Sequence, residues 1–327
     1  MASSTLDDIK RKVRRLTASP SPNQLSESDL EHYIDTFYEA DLPAHLKIWN
    51  LHSNYEFWTV ANEDRYDFDT DLYTAALPPL YIDGYQSFYS QSQEEFFRIY
   101  PKTTTQYTGP SGDGTAGPYS FTLSSTPVLK REVTVSAVDT SGDTQTAYDS
   151  PQAGSETLGD LIDASDNTTV LGQINYVTGA VSALTFTSAI PASESIITRY
   201  VAYQANRPTA GLFFNSYFIL RPVPDKVYKV SIEVYQKPSQ LLSANNNAGT
   251  NTPDVQQWWQ YIAFGAAIKV LEDRQDMESI QNIMPAFERQ ESLVLNRTAT
   301  ELANQRTATI YTDQLQYPVG NRQFGGS

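Results

Sequence analysis

The chain contains no cysteine, which removes thiol nucleophiles, disulfide frameworks and cysteine-ligated zinc from consideration. Histidine is nearly as scarce, with His32, His45 and His52 all in the first part of the chain. His45 and His52 can share a helix face. No Asp or Glu stands at the spacing of a zinc-protease helix, and HLKIWNLH is largely apolar, so core or surface histidines are favoured. Positive charge is also short: 23 Lys and Arg against 38 Asp and Glu give a net charge of -15 over 327 residues. That balance disfavours a broad nucleic-acid-binding surface. No apolar run approaches the roughly twenty residues that span a bilayer, so no membrane partner is expected. MASSTLDDIKRKVRR has no apolar run after its basic residues and does not read as a signal peptide.

What the chain does have is helical periodicity at both ends. Leu6, Ile9, Val13 and Leu16 recur at helical spacing with Lys10, Arg11, Lys12, Arg14 and Arg15 opposite, a basic face that either meets an acidic neighbour or stays solvated. Ser26 is a candidate N-cap, with Asp29 at the reciprocal position and Leu25 stapled on Leu30. The helix it starts buries Leu30, Tyr33, Ile34, Phe37 and Tyr38, and a third short helix is expected around 44–51. Near the other end, Thr252 with Pro253 and Asp254 predicts a helix start. From there Val255, Trp258, Trp259, Ile262, Ala263, Ala266 and Val270 form an apolar stripe that the N-terminal helices are expected to cover. Pro285 is expected to interrupt the pattern before a second run through Phe287, Val294, Leu295, Thr298 and Leu302.

Between these ends the pattern is extended. Phe57–Val60, Leu72-Tyr73, Leu80–Ile82 and Phe96–Tyr100 read as strands, and they are expected to share a sheet with Leu212–Phe214, Tyr217–Leu220 and Val227–Tyr235. Pro222, Pro224 and Asp225 predict a hairpin turn between the last two. Residues 106–206 differ in composition: few charges, many Thr and Ser, and short strands with close turn signals, the pattern of an inserted β-sandwich. Gly109–Gly117 reads as the linker into it, because no Gly-Lys-Ser/Thr follows to cradle a phosphate. The fold class expected is therefore α+β. A helical bundle of residues 1–56 and 252–307 joins a small antiparallel β part of 57–105 and 207–240, the inserted domain of 106–206, and an extended tail of 308–327. An apolar-spiced tail with no core of its own, here carrying Ile310, Tyr311, Leu315, Tyr317 and Phe324, commonly ends on a partner.

Candidate chemistry is sparse. Glu63, Asp64, Asp67, Asp69 and Asp71 form an acidic cluster in which Asp67, Asp69 and Asp71 alternate as calcium ligands do, yet the loop glycine and distal glutamate are missing, so a solvated acidic loop is expected. No stretch argues for a glycosidase carboxylate pair. Neither an enzyme nor a bound cofactor or metal is expected.

The phrase Gly172 to Val181, continuing through Leu184–Pro191 and Ile196–Tyr200, resembles a β-hairpin motif frequent in structural proteins of tailed bacteriophages. The flanking phrases VRRLTASPSPNQLSESDLEHYIDTFYEADLP, RPVPDKVYKVSIEVYQKP and WWQYIAFGAAIKVLEDRQD resemble a head-to-tail adaptor of a short-tailed phage. The resemblance implies a virion protein, made in the host cytoplasm, that forms a ring of about twelve copies. It implies contacts with the portal and with a tail-nozzle or tail-tube protein. It also makes the C-terminal extension a portal-docking element, with Ile310, Tyr311, Leu315, Tyr317 and Phe324 as anchors. An acidic ring suits such a passage, because carboxylates repel phosphate and let DNA slide through. The alternative is a tail-associated protein that binds host glycan through exposed tyrosines of the inserted domain.

Overall fold

A computed structural model describes residues 5–42, 48–238 and 252–304. The chain is α+β and divides into two compact units, one of Met1–Ser53, Asp71–Ala75 and Tyr235–Ser327, the other of Asn54–Thr70 and Ala76–Val234.

In the first unit, α1 (Leu6–Leu16) buries Leu6, Ile9 and Val13. Helix α2 (Glu27–Asp35) starts at Ser26, whose hydroxyl accepts from the Asp29 N–H at 3.1 Å, and it runs on into a wider π-type turn at Thr36–Asp41. Residues 43–47, with His45, lie outside the described residues. Only a short 3-10 turn, Trp49–Leu51, is found where the end of a third helix was expected, and His52 opens a strand.

The C-terminal helices begin elsewhere than the capping signal indicates. Thr252 is exposed and caps nothing; Val255 is fully buried and the Asp254 N–H donates to the Tyr38 hydroxyl at 2.8 Å, so the lead-in is irregular. A 3-10 turn at Gln256–Trp258 then feeds α4 (Trp259–Asp273; α3 lies in the second unit). Residues 261–268 are all buried, so α4 is a central helix enclosed on every side rather than one with a single stripe. It packs against α1, α2 and α5 (Met277–Asn304). Pro285 lies inside α5, and the break falls earlier, where Gln275 takes a φ of 58° and Asp276 caps α5 by accepting from the Ser279 N–H at 3.1 Å.

The second unit holds two sheets. The first is built from β1 (His52–Trp58), β2 (Arg65–Asp67), β3 (Tyr73–Ile82), β4 (Tyr85–Ser90), β13 (Ala210–Phe214), β14 (Tyr217–Arg221) and β15 (Lys229–Gln236), in the order β1-β15-β3-β4-β13-β14-β2. Strands β14 and β15 are therefore not a hairpin, and Pro222 to Asp225 connect two strands that are not neighbours in the sheet. The hairpin that does form joins β13 and β14 through Asn215 and Ser216, both at positive φ, as a two-residue primed turn requires. Phe96–Tyr100, expected as a strand, falls mostly in α3 (Gln93–Ile99). Ser92 caps this helix by accepting from the Glu95 N–H at 3.3 Å, and Phe96 packs on Ala210, Leu212 and Ile219. Its aromatic residues have high strand propensity, but Ser92 and Glu95 stand at capping spacing and decide the outcome.

Residues 104–201 form one sheet of β5 (Thr104–Ser111), β6 (Tyr119–Thr122), β7 (Thr134–Val138), β8 (Thr144–Pro151), β9 (Leu158–Asp163), β10 (Val170–Asn175), β11 (Ala180–Leu184) and β12 (Ser195–Val201). This is not a sandwich of two sheets. All eight strands hydrogen-bond in the order β5-β12-β7-β8-β9-β10-β11-β6, and β5 comes back towards β6, giving a barrel-like wall around one core. Gly109 ends up in β5 and Gly112–Gly117 in the loop from β5 to β6, so the stretch joins two strands of the barrel instead of leading into it; a Cβ on Gly112 would lie 2.3 Å from the Ile190 carbonyl oxygen, so only glycine lets the chain pass there.

Candidate interaction surfaces

The first unit carries a groove made possible by one glycine. Gly265, inside α4, lets the Phe37 ring lie directly on the helix; a Cβ would stand 2.2 Å from its ring carbons. Tyr261, one turn earlier, meets Phe37 edge-on at 5.5 Å between centroids and stacks on Phe287 of α5 at 5.0 Å and 15°. Ile268 and Met284 complete an apolar lining, and the groove has a volume of about 430 Å³. Its charges stay at the rim, where Lys269 pairs with Asp41 at 2.6 Å and Glu272 is exposed. Burial pushes the Tyr261 hydroxyl pKa up, so it stays protonated. An aromatic cage with a methionine floor suits an uncharged aromatic or branched side chain.

A second, acidic cleft of about 490 Å³ is lined by Ser28, Glu31, His32, Asp35, Thr36 and Glu39. Burial, then the charges of Glu39 and Glu31, push the Asp35 carboxyl up to about 6. Its Oδ1 is buried without a hydrogen-bond partner among the described residues. The basic face of α1 finds its acidic neighbour within the same unit: Lys10 bridges Glu27 and Glu31, and Arg14 pairs with Glu27 at 2.7 Å. Lys12 lies over the Phe264 ring at 5.0 Å.

In the second unit, Glu63 and Asp64 of the acidic cluster make structural pairs. Glu63 accepts from Lys130 at 2.7 Å and from Arg131 at 3.2 Å, which ties the seven-stranded sheet's loop to the barrel. Asp64 pairs with Arg221 at 2.7 Å in a buried contact. Asp67 lies on β2, and Asp69 and Asp71 are exposed. Among the described residues no group of His, Asp and Glu is placed to hold a metal ion. Next to Lys130 sits Asp149, whose carboxylate accepts from the Arg131 N–H at 2.6 Å, the Val133 N–H at 2.7 Å and the Tyr176 hydroxyl at 2.7 Å. Burial raises its pKa against the pull of those three donors.

Of the residues singled out from sequence, Val255, Ile262, Ala266 and Val270 are buried, whereas Trp258 and Trp259 are half-buried. Ile310, Tyr311, Leu315, Tyr317 and Phe324 lie outside the described residues. Sequence reasoning missed the cage of Phe37, Tyr261 and Phe287; the legible signal was Gly265 in the middle of an otherwise strong helical run. It also missed Asp149, an acid at an inward position of an alternating strand. The tyrosines of the barrel serve mostly inside it: Tyr119, Tyr176 and Tyr200 belong to its core. A glycan surface built on exposed tyrosines therefore loses three of its candidates.

No family model matches the chain, and no curated protein sequence matches it. Among solved structures, it is similar to VP17, a capsid protein of bacteriophage P23-77, at 13% identity and a TM-score of 0.22. That match covers 57% of this chain and 86% of the other. A superposition at that level does not establish a common fold. No described helix is long and apolar enough to cross a membrane.

Proposed function

We propose that this chain is a bacteriophage virion structural protein, a non-enzymatic head-to-tail adaptor whose copies form a ring that joins the portal to the tail and leaves a passage for DNA. The observation that carries the reading is the packing of helices from both chain ends into one unit, with α1 and α2 against α4 and α4 against α5. Helices brought together from both ends of the chain support the adaptor reading, in which they form the core and residues 308–327 the docking tail. The β parts suit a rigid spacer: Glu63 pairs with the buried Lys130 and with the exposed Arg131, which pins the barrel to the adjoining sheet. Identical copies close such a ring through a heterologous interface.

The test is the mass and symmetry of the assembly in particles from its source, by native mass spectrometry or electron microscopy. A ring of about twelve copies against a portal is expected. A trimer at the tail periphery or a free monomer would refute the adaptor assignment. Deletion of 308–327 is expected to abolish attachment to isolated portals; unchanged attachment would remove the tail from the portal interface.

A further inference from the structure

We propose that the cleft beside Arg221, where the barrel meets the seven-stranded sheet, binds a carboxylate carried on a short apolar body, with the Arg221 guanidinium holding the carboxylate. The adaptor reading neither requires nor excludes such a ligand.

The cation is the first observation. Arg221 ends β14 and is only 9% exposed. A guanidinium carries five N–H donors in a fixed fork and no acceptor. Here Nη1 donates to Asp64 Oδ2 at 2.7 Å and to the Leu220 carbonyl at 2.9 Å, whereas Nη2 is buried and has no hydrogen-bond partner among the described residues. Buried donors are almost always matched, so an open charged one calls for an acceptor from elsewhere.

The surroundings select the rest of the ligand. Arg221 lines a cleft of about 220 Å³ whose apolar wall is Leu129, Val201 and Val223. Tyr203 packs on the same three residues, and its hydroxyl is already taken by Asn62 Oδ1 at 3.0 Å. Lys102 and Gln204, both exposed, complete the lining, and the Lys102 ammonium pairs with Glu132. At ~30 Å³ per water in the liquid, the cleft has the volume of about seven waters, which suits a small aromatic or branched acid.

A hydrated dianion such as phosphate fits poorly, because the apolar wall does not replace its water and one end of a single guanidinium cannot match its oxygens. A carboxylate on an apolar body satisfies both halves, with the acid on Arg221 and the body on the wall. Because Nη2 is closed off from solvent, binding includes a turn of the guanidinium end towards the ligand, pivoting on the Asp64 pair. Side-chain adjustments of that kind are common on binding. Free small acids and the C-terminal residue of a peptide share this chemistry, and the test separates them.

The full-length protein is titrated with para-fluorobenzoate and with N-acetyl-para-fluorophenylalanine, each beside its uncharged amide, and followed by fluorine NMR. A Kd of about millimolar is expected for an acid, about tenfold tighter than for its amide, and the tighter acid names the source. Arg221→Lys keeps a charge beside Asp64 but loses the fork, and is expected to weaken binding about tenfold. Gln204→Trp fills the cleft from its exposed side without touching the guanidinium and is expected to abolish binding. Since a shortened Arg221 could leave Asp64 buried and unpaired, Asp64→Leu combined with Arg221→Met removes both charges at similar volume. In that protein, checked by its melting transition, acid and amide are expected to bind equally. Failure of both acids to bind, equal binding of acid and amide to the parent, or acid binding unchanged in these variants overturns the proposal. Displacement of the acid by an equal concentration of inorganic phosphate also overturns it, by giving the cleft to hydrated anions.

Discussion

In the eight-stranded sheet β7, β8, β9, β10 and β11 follow one another both in sequence and in space, and every pairing is antiparallel. The seven-stranded sheet takes β1 to β4 from residues 52–90 and β13 to β15 from residues 210–236, and it includes the parallel contact of β4 with β13. The barrel closes its contacts within about a hundred residues, whereas the other sheet must wait for chain that lies beyond the barrel. Local pairing pays loop-closure entropy in small steps, and distant pairing pays it all before any contact returns it. The barrel is therefore expected to fold on its own and the seven-stranded sheet to depend on it.

Separating the barrel from the rest of the chain is expected to have the largest effect. Residues 104–203 expressed alone are expected to melt cooperatively with β-sheet circular dichroism, and the remainder joined by a short linker to lose its cooperative transition. A molten fragment would show that the barrel borrows its order. Next in size is Asp149→Ala, which orphans the Arg131 and Val133 N–H groups and the Tyr176 hydroxyl inside the barrel wall. A loss of about 3–5 kcal/mol in denaturant unfolding of the barrel is expected. A loss below about 1 kcal/mol would mean that water replaces the carboxylate.

Glu63→Gln probes the joint between the sheets instead of either core. Lys130 is almost fully buried, and removing the charge it faces is expected to cost about 2–4 kcal/mol. The loss should appear as two transitions, against a single one expected for the parent, followed by fluorescence and circular dichroism. A single transition shifted as a whole would show that the barrel and sheet stay coupled through Leu129, Val201 and Val223, which pack in the same junction.

The same contrast governs what could be read from the sequence. The barrel's hairpin at Thr178-Gly179 was legible because its turn chemistry and both strands are contiguous. The β-rich segment 106–206 was legible for the same reason, but whether its strands make one sheet or two depends on pairings such as β5 with β12, some ninety residues apart. In the outer sheet the strand residues were mostly identifiable, yet the order was not: Pro222 to Asp225 have the composition of a hairpin turn and do not make one. The helix start at Thr252 failed because a local cap was outweighed by burial of Val255 and the bond from Asp254 to Tyr38, which no local pattern announces. Pro285 failed in the opposite direction, tolerated inside α5. The groove was invisible because Phe37, Tyr261 and Phe287 come from three separate stretches of chain.

The smallest expected effect lies in the helical unit and asks whether its acidic cleft is a cost that the fold carries. Asp35 stands at about 6 rather than 3.8, so the folded state holds its proton more tightly than the unfolded chain. Its contribution to stability is therefore most favourable below pH 4, falls as pH rises from about 4 to 6, and is constant above that. Asp35→Asn removes the titration. The full shift corresponds to about 3 kcal/mol, but the side chain is only partly buried and solvent screens Glu31 and Glu39, so a gain of about 1 kcal/mol at pH 7.5 is expected. At pH 4 the two proteins should unfold at nearly the same denaturant concentration. A variant that gains nothing at pH 7.5 would mean that a cation or a partner already neutralises the cleft. A gain that persists at pH 4 would assign the effect to the amide's hydrogen bonds rather than to charge.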